Sequence, residues 1–377
     1  MKIGIDCRLW DETGVGRYIR NLVEQLLTID KKNEYILFVL SRDEENIKYQ
    51  ISNIKKKWKL RPADVRWHSI EEQLKFPTTL KRENLDLVHF TYFSVPIFYN
   101  RPFVVTIHDL IINHFSTGRA STLPYPIYSL KLLGYKFIMS QAVKKAKKII
   151  TVSNATKKEI IDHLGVDSSK VVVTYEGVQL PNKKNDKWKI INGKYFLYVG
   201  NAYPHKNLER LLKAFKLLNS DANLFLVGKE DYFYKRLGKK VREMGISDRV
   251  IFLQSVLDQE LVDLYRNALA LVLPSLMEGF GLPALEAMAN KCLVLASDIP
   301  SLRETCGDAA LYFDPYNPKD IAEKMKAVCF NDLPAGKAGL NHFSKNRIEG
   351  LERAKFFSWR KMAQETLAVY EKSASNP

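Results

Sequence analysis

The stretch Ser275–Ala289, SLMEGFGLPALEAMA, sets two carboxylates, Glu278 and Glu286, on either side of two glycines and a proline. Gly279, Gly281 and Pro283 at alternate positions do not suit a helix interior, where each glycine costs about 1 kcal/mol. Pro283 does not suit a central strand either. The residues before it, LALVLP, read as a strand, so SLMEGFG is a strand-to-helix loop. In open parallel sheets ligands bind beyond the carboxyl ends of the strands. Pro283 fits a first helical turn, where its missing N–H would be unpaired anyway, and this predicts a helix starting near Leu282. The free N–H groups and partial positive charge of that helix end form an anion site. Gly279 and Gly281 let a ligand approach the backbone.

Glu286 then lies about one turn inside the helix and leans toward its amino end. Its carboxylate suits two hydroxyls beside an anion better than the anion itself. Glu278 stands on the other side. A phosphate with polyol on both flanks describes a nucleotide sugar.

Outward from this loop, strand-like and helix-like segments alternate along the chain. KIGIDC, EYILFVL, DLVHF, FVVTIH, KIITVS and VVVTY read as strands of a first block. The helix VGRYIRNLVEQLL, the long amphipathic helix SLKLLGYKFIMSQAVKKAKK and the helix ATKKEIIDHLG are interspersed. The polar segment Pro181–Lys194 reads as a linker. Beyond it YFLYVG, NLFLVG, RVIFL, LALVLP, CLVLAS and ALYFDP alternate with helices KNLERLLKAFKLL, YKRLGKKVREMG and QELVDLYRNA. Strands joined by helices imply parallel sheets with right-handed crossovers. The expected class is α/β, with two Rossmann-like domains facing across a cleft, residues 1–180 and 195–356, and a linker at 181–194.

A chain of 377 residues with 46% apolar and 27% charged residues is that of a globular protein, and its length favours two domains. No window offers a membrane-spanning run. The start, MKIGIDCRLWDE, reads as a strand followed by charge rather than as a signal peptide. Cys7, Cys292, Cys306 and Cys329 have neither disulfide-framework nor zinc spacing, which implies a reduced, cytoplasmic compartment.

The net charge of +16 is uneven. Between Asp109 and Glu159 there is no acidic residue, against nine lysines and arginines, among them Lys131, Lys136, Lys144, Lys145, Lys147 and Lys148. This basic stretch, residues 110–158, fits an anionic membrane surface, and equally a merely solvated lysine-rich face. No nucleic-acid-binding motif accompanies it.

EGFGLPALEAMA closely resembles the signature of the family-4 retaining glycosyltransferases of the GT-B fold. The resemblance covers nearly the whole chain through GIDCRLWDETGVGRY, TIHDL, IITVSNATKKEI, YVGNAYPHKNLERLLKAF and FSWRKMAQETLAVYE. It implies that Glu286 binds the ribose hydroxyls and that Glu278 contacts the donor sugar. Backbone amides around Phe280, Gly281 and Leu282 would hold the diphosphate. It implies a glycine-rich phosphate loop at Gly14 and Gly16, a catalytic His108 reaching the donor sugar with Asp109 orienting it, and a catalytic Lys206 neutralising the diphosphate. Asn201 and His205 stand where many members carry arginine, which leaves Arg17 to compensate. A final helix at Phe357–Lys372 would brace the first domain, so that residues 357–377 belong with it.

No DxD pair occurs, and the resemblance implies no metal and no cofactor beyond the substrate nucleotide sugar. The expected reaction moves a hexose to a glycan or lipid-linked glycan acceptor. The phrases DCRL, TGVGRY and YPHKN are most similar to bacterial mannosyltransferases of polysaccharide assembly, which implies GDP-mannose. The polar loop Ile112–Pro126 reads as an acceptor gate. A GT-B nucleotide-sugar epimerase and a non-catalytic basic scaffold stay open as alternatives.

Overall fold

The computed structural model describes residues 1–51, 57–115, 125–180, 193–330 and 339–374. Two compact units emerge, one of Met1–Leu110, Ser121–Gly177 and Ser358–Pro377, the other of Ile111–Ala120 and Val178–Phe357. Most of the expected linker, residues 181–192, lies outside the described residues.

The first unit holds β1 (Lys2–Asp6), β2 (Glu34–Val39), β3 (Trp58–Pro62), β4 (Leu87–Phe90), β5 (Phe103–Ile107), β6 (Lys148–Thr151) and β7 (Val171–Val173). They form one parallel sheet ordered β3-β2-β1-β4-β5-β6-β7. Apolar runs such as FVVTI of β5, buried at every position, suit a sheet covered on both faces. Trp58–Pro62 carries Lys59, Arg61 and Pro62, a composition tolerated only at an edge, and its apolar anchor is Trp58 stacked on Tyr35 at 4.1 Å. The turn after β1 is held by Arg8, whose guanidinium donates to Asp6 and to Glu72 at 2.7 Å each.

The second unit holds β8 (Tyr195–Val199), β9 (Asn223–Val227), β10 (Val250–Leu253), β11 (Ala270–Leu273), β12 (Val294–Ser297) and β13 (Leu311–Phe313). Its parallel sheet is ordered β10-β9-β8-β11-β12-β13. Both sheets are doubly wound, the Rossmann-like class expected.

Four local readings need correction. The helix read from Lys206 begins at Leu208; Pro204–Lys206 is a 3₁₀ turn closed by left-handed Asn207. The loop Ile112–Pro126 is helical at Ile111–His114 and again from Tyr125, while residues 116–124 lie outside the described residues. The last helix, read as Phe357–Lys372, spans Trp359–Ala374, and it packs against the helix Gly14–Ile29 of the first unit as expected.

The long basic helix, Tyr125–Lys145, is not amphipathic in the ordinary sense. Tyr135, Met139, Ala142 and Val143 are buried, yet Ile127, Leu130, Leu133 and Phe137 form an exposed apolar stripe. Apolar residues on two faces cancel the one-sided pattern.

Candidate functional site

In the second sheet β8 lies between β9 and β11, so the strand order reverses there. Loops leaving such a switch point diverge and open a crevice at the carboxyl ends. The loop after β8 carries Asn201 to Asn207, and the loop after β11 carries Ser275 to Gly281. Asn207 fastens one to the other, its side-chain amide donating to the carbonyls of Pro274 at 2.9 Å and Pro315 at 2.8 Å. The Leu276 N–H donates to the His205 carbonyl at 2.8 Å.

These ties bring Lys206 onto Glu278. Its ammonium donates to both carboxylate oxygens, at 2.7 and 2.8 Å, and the Ser275 hydroxyl donates to one of them at 2.6 Å. Only 17% of the lysine side chain and 10% of the glutamate side chain are exposed. Burial pushes the Glu278 carboxyl up, but the Lys206 charge and the Lys206 and Ser275 hydrogen bonds outweigh it and hold it below the usual carboxylate range. His205 beside them is buried, which pushes its imidazole down to about 4, with Lys206 adding to the shift and Glu278 opposing it. At neutral pH the ring is uncharged, leaving Lys206 as the cation of this turn.

The helix Leu282–Ala289 starts where its proline predicted. Gly281 before it has φ +97°, and an added Cβ would stand 2.6 Å from Leu302 Cδ2, so the position requires glycine. Its carbonyl accepts the Ala284 and Leu285 N–H groups. The N–H groups of Gly281 and Leu282 donate to nothing among the described residues. Phe280 turns its ring into the core against Phe357, and its carbonyl accepts the Thr305 hydroxyl at 2.6 Å. Glu286, half-buried, accepts the Tyr265 hydroxyl at 3.0 Å. Asn201 is held through its carbonyl by Tyr198 at 2.6 Å.

In the first unit Gly14, Gly16 and Arg17 occupy the first turn of the helix Gly14–Ile29. Gly14 has open space where a Cβ would be, whereas at Gly16 one would meet the Trp10 carbonyl at 2.3 Å. His108 follows β5 with its Nε2 donating to the Thr91 carbonyl at 3.0 Å. Its Nδ1 faces Glu176 at 3.8 Å, and Tyr18 meets the ring edge-on at 4.9 Å. The two ring nitrogens thus face Thr91 and Glu176; Asp109 stands near Tyr135, whose hydroxyl pKa it helps burial to raise. Behind His108, His89 of β4 bonds Thr106 at 2.7 Å and Tyr370 of the last helix at 2.6 Å.

Glu176, Thr91, Ser275 and Tyr265 were not singled out from the sequence. Glu176 carried a usable signal, a lone acid directly after the apolar run VVVTY, where a strand ends. Tyr265 did not: it shares a helical face with Leu261 and Leu264 and reads as core. Thr91 acts through its carbonyl, which no residue type announces.

With the geometry in place, comparison with known proteins is specific. Residues 182–341 match the family Glycosyl transferases group 1, and residues 13–180 match Glycosyltransferase Family 4. The O-antigen chain mannosyltransferase RfbU of Salmonella typhimurium is 33% identical over 294 residues, 78% of each chain. O-antigen chain mannosyltransferase B of Escherichia coli is 30% identical over 62% of each. Among solved structures, the sucrose-phosphate synthase of Thermosynechococcus elongatus shares the fold over the full length of both chains, with a TM-score of 0.80 at 18% identity.

Proposed function

The chain belongs to the group 1, family-4 glycosyltransferases, and from that premise we propose that it moves a hexose from a nucleoside diphosphate to an acceptor hydroxyl with the anomeric configuration retained. The observation that carries this reading is the Lys206–Glu278 pair beside the amides of Gly281 and Leu282, which donate to nothing among the described residues. A diphosphate at this helix end accepts from those amides and draws Lys206 toward itself as leaving charge grows. Preorganised positive charge of this kind is usually the largest catalytic contribution. Lys206 and the helix end supply it without a bound metal.

Glu278 then takes hydroxyls of the hexose, and Glu286, backed by Tyr265, those of the ribose. His108 serves a sugar hydroxyl at the end of β5. The acceptor oxygen bonds to the anomeric carbon on the face from which the diphosphate leaves. The bond from that carbon to the phosphate oxygen breaks, and the acceptor proton passes to the leaving phosphate. The relatives' names, O-antigen chain mannosyltransferases, support mannose as the hexose and a glycan chain as the acceptor; GDP-mannose as donor and a lipid-linked form of the acceptor complete the proposal. They favour transfer over an epimerase or a scaffold.

We propose a peripheral place on the inner face of an anionic membrane, and the helix Tyr125–Lys145 supports the membrane contact. Ile127, Leu130, Leu133 and Phe137 are exposed along it, with Lys131, Lys136 and Lys144 also exposed on the same helix. Each lysine near such a surface contributes about 1 kcal/mol. Among the described residues no helix is long and apolar enough to cross a membrane.

A panel of nucleotide sugars tests the donor. GDP-mannose at 100 times its dissociation constant should stabilise the fold by about 2.7 kcal/mol. Failure of every nucleotide sugar to raise the melting temperature refutes the reading, and a new sugar nucleotide formed without acceptor supports the epimerase. Replacing Leu130 and Leu133 by glutamate should abolish sedimentation with phosphatidylserine vesicles; unchanged sedimentation removes the membrane proposal.

A further inference from the structure

His108 and Glu176 stand at the carboxyl ends of β5 and β7, in the first unit. Their side chains are only 10% and 6% exposed, and Nδ1 and Oε1 lie 3.8 Å apart, too far for a hydrogen bond. Because Nε2 gives its hydrogen to the Thr91 carbonyl, the neutral ring presents a lone pair at Nδ1. Among the described residues no hydrogen bond reaches the Glu176 carboxyl. A carboxylate there would lose its hydration without replacement donors. Burial accordingly pushes the carboxyl up to about 8, against the charge of Arg17. Burial pushes the His108 imidazole down to about 4, with the Thr91 bond opposing. Among the described residues the groups around the pair are Arg17 and Tyr18 on the first helix, Tyr92 in the loop after β4 with its ring 6.5 Å from that of His108, and His89 on β4 with Tyr370 of the last helix behind it.

The two side chains are thus a donor and an acceptor that face each other across a gap neither closes. One oxygen placed about 2.8 Å from both fills it, accepting from the carboxylic O–H and donating to Nδ1. A hydroxyl can do both. A phosphate or carboxylate oxygen cannot, because the lone pair at Nδ1 repels it. We propose that Glu176, as a carboxylic acid, forms with His108 a two-point receptor for one uncharged hydroxyl of the substrate, making Glu176 a specificity-determining residue of the transfer.

This rests on the glycosyl transfer proposed above, and the test separates the two. Glu176→Gln keeps a donor of similar shape at this position and Glu176→Ala removes it. In the wild type, kcat/KM should fall above about pH 8 as the acid ionises, whereas the Gln variant should lose that limb. The Ala variant should raise one KM roughly three- to tenfold, the size of one neutral hydrogen bond, with kcat changed less. A rise in the donor KM, reproduced in the wild type by a deoxy-sugar donor, places the hydroxyl on the hexose; a rise in the acceptor KM places it on the acceptor. Identical pH profiles in wild type and Gln variant, or unchanged KM values for both substrates in the Ala variant, overturn the proposal. Carboxyl NMR of the protein labelled with ¹³C-glutamate, compared with the Gln variant, needs no turnover. A Glu176 midpoint near 8 supports the receptor, and one in the ordinary range near 4.5 overturns it whether or not transfer is seen.

Discussion

The strand-end loops of the two sheets place carboxylates in similar burial and reach opposite electrostatic outcomes. Glu278 meets Lys206 and Ser275 at hydrogen-bond distance and is held charged below its usual range. Among the described residues Glu176 meets no donor at hydrogen-bond distance, the nearest ring nitrogen of His108 being 3.8 Å away, and burial pushes it up to about 8 against the charge of Arg17. Burial acts on both; what differs is whether donors replace the lost water. In the transfer proposed above, the compensated charge of the Glu278 loop is one that a phosphate can redirect. A neutral pair is suited to hydroxyls.

Breaking the charged pair should have the largest effect. Lys206→Met removes one preorganised cation and should lower turnover by roughly 10²–10³-fold. It also strands a buried carboxylate, at about 3–5 kcal/mol of stability by urea unfolding. Adding Glu278→Gln should recover much of that stability and none of the turnover. If the double variant is no more stable than the single, the pair is not compensated as described.

Gly281→Ala should cost about 1–3 kcal/mol from its left-handed backbone alone, and more from the contact with Leu302. Its denaturation midpoint reads the loss, and full stability would mean that the loop has another conformation.

The two kinds of buried group should also tilt stability oppositely with pH. His108 and His205 are depressed from 6.5 to about 4, so the unfolded chain takes up protons first and stability is lost as pH falls from about 6.5 to 4. Glu176 is raised from 4.5 to about 8, so the folded chain holds the proton longer. Its contribution is complete below about 4.5 and is lost as pH rises toward 8. In Glu176→Gln the alkaline decline should flatten while the acid decline stays, as read by melting temperatures from pH 4 to 9.

The smallest expected effect is at Tyr265→Phe, which frees Glu286 from one hydrogen bond. We expect the donor KM to rise about threefold to tenfold with kcat nearly unchanged, a loss of roughly 0.5–1.5 kcal/mol.

Legibility followed the range of the interactions. The helix start at Leu282 was readable because proline and glycine constrain their own backbone within one turn. The alternation of apolar strands with helices was readable for the same local reason, and it implied two parallel sheets. The 3₁₀ turn at Pro204–Lys206 was missed because Asn207 takes its left-handed form while bonding carbonyls of Pro274 and Pro315, far along the chain. The exposed stripe on Tyr125–Lys145 was missed because apolar spacing does not say which of two faces is covered.

The amino-acid order alone therefore determined the doubly wound class, the helix start at Leu282 and the types of residue around it. Only the tertiary structure decided the charge those residues carry. Glu278 and Glu176 are the same side chain, and what sets Glu278 apart is above all the Lys206 cation brought from the loop after another strand, a property of three-dimensional neighbours that adjacency along the chain does not encode.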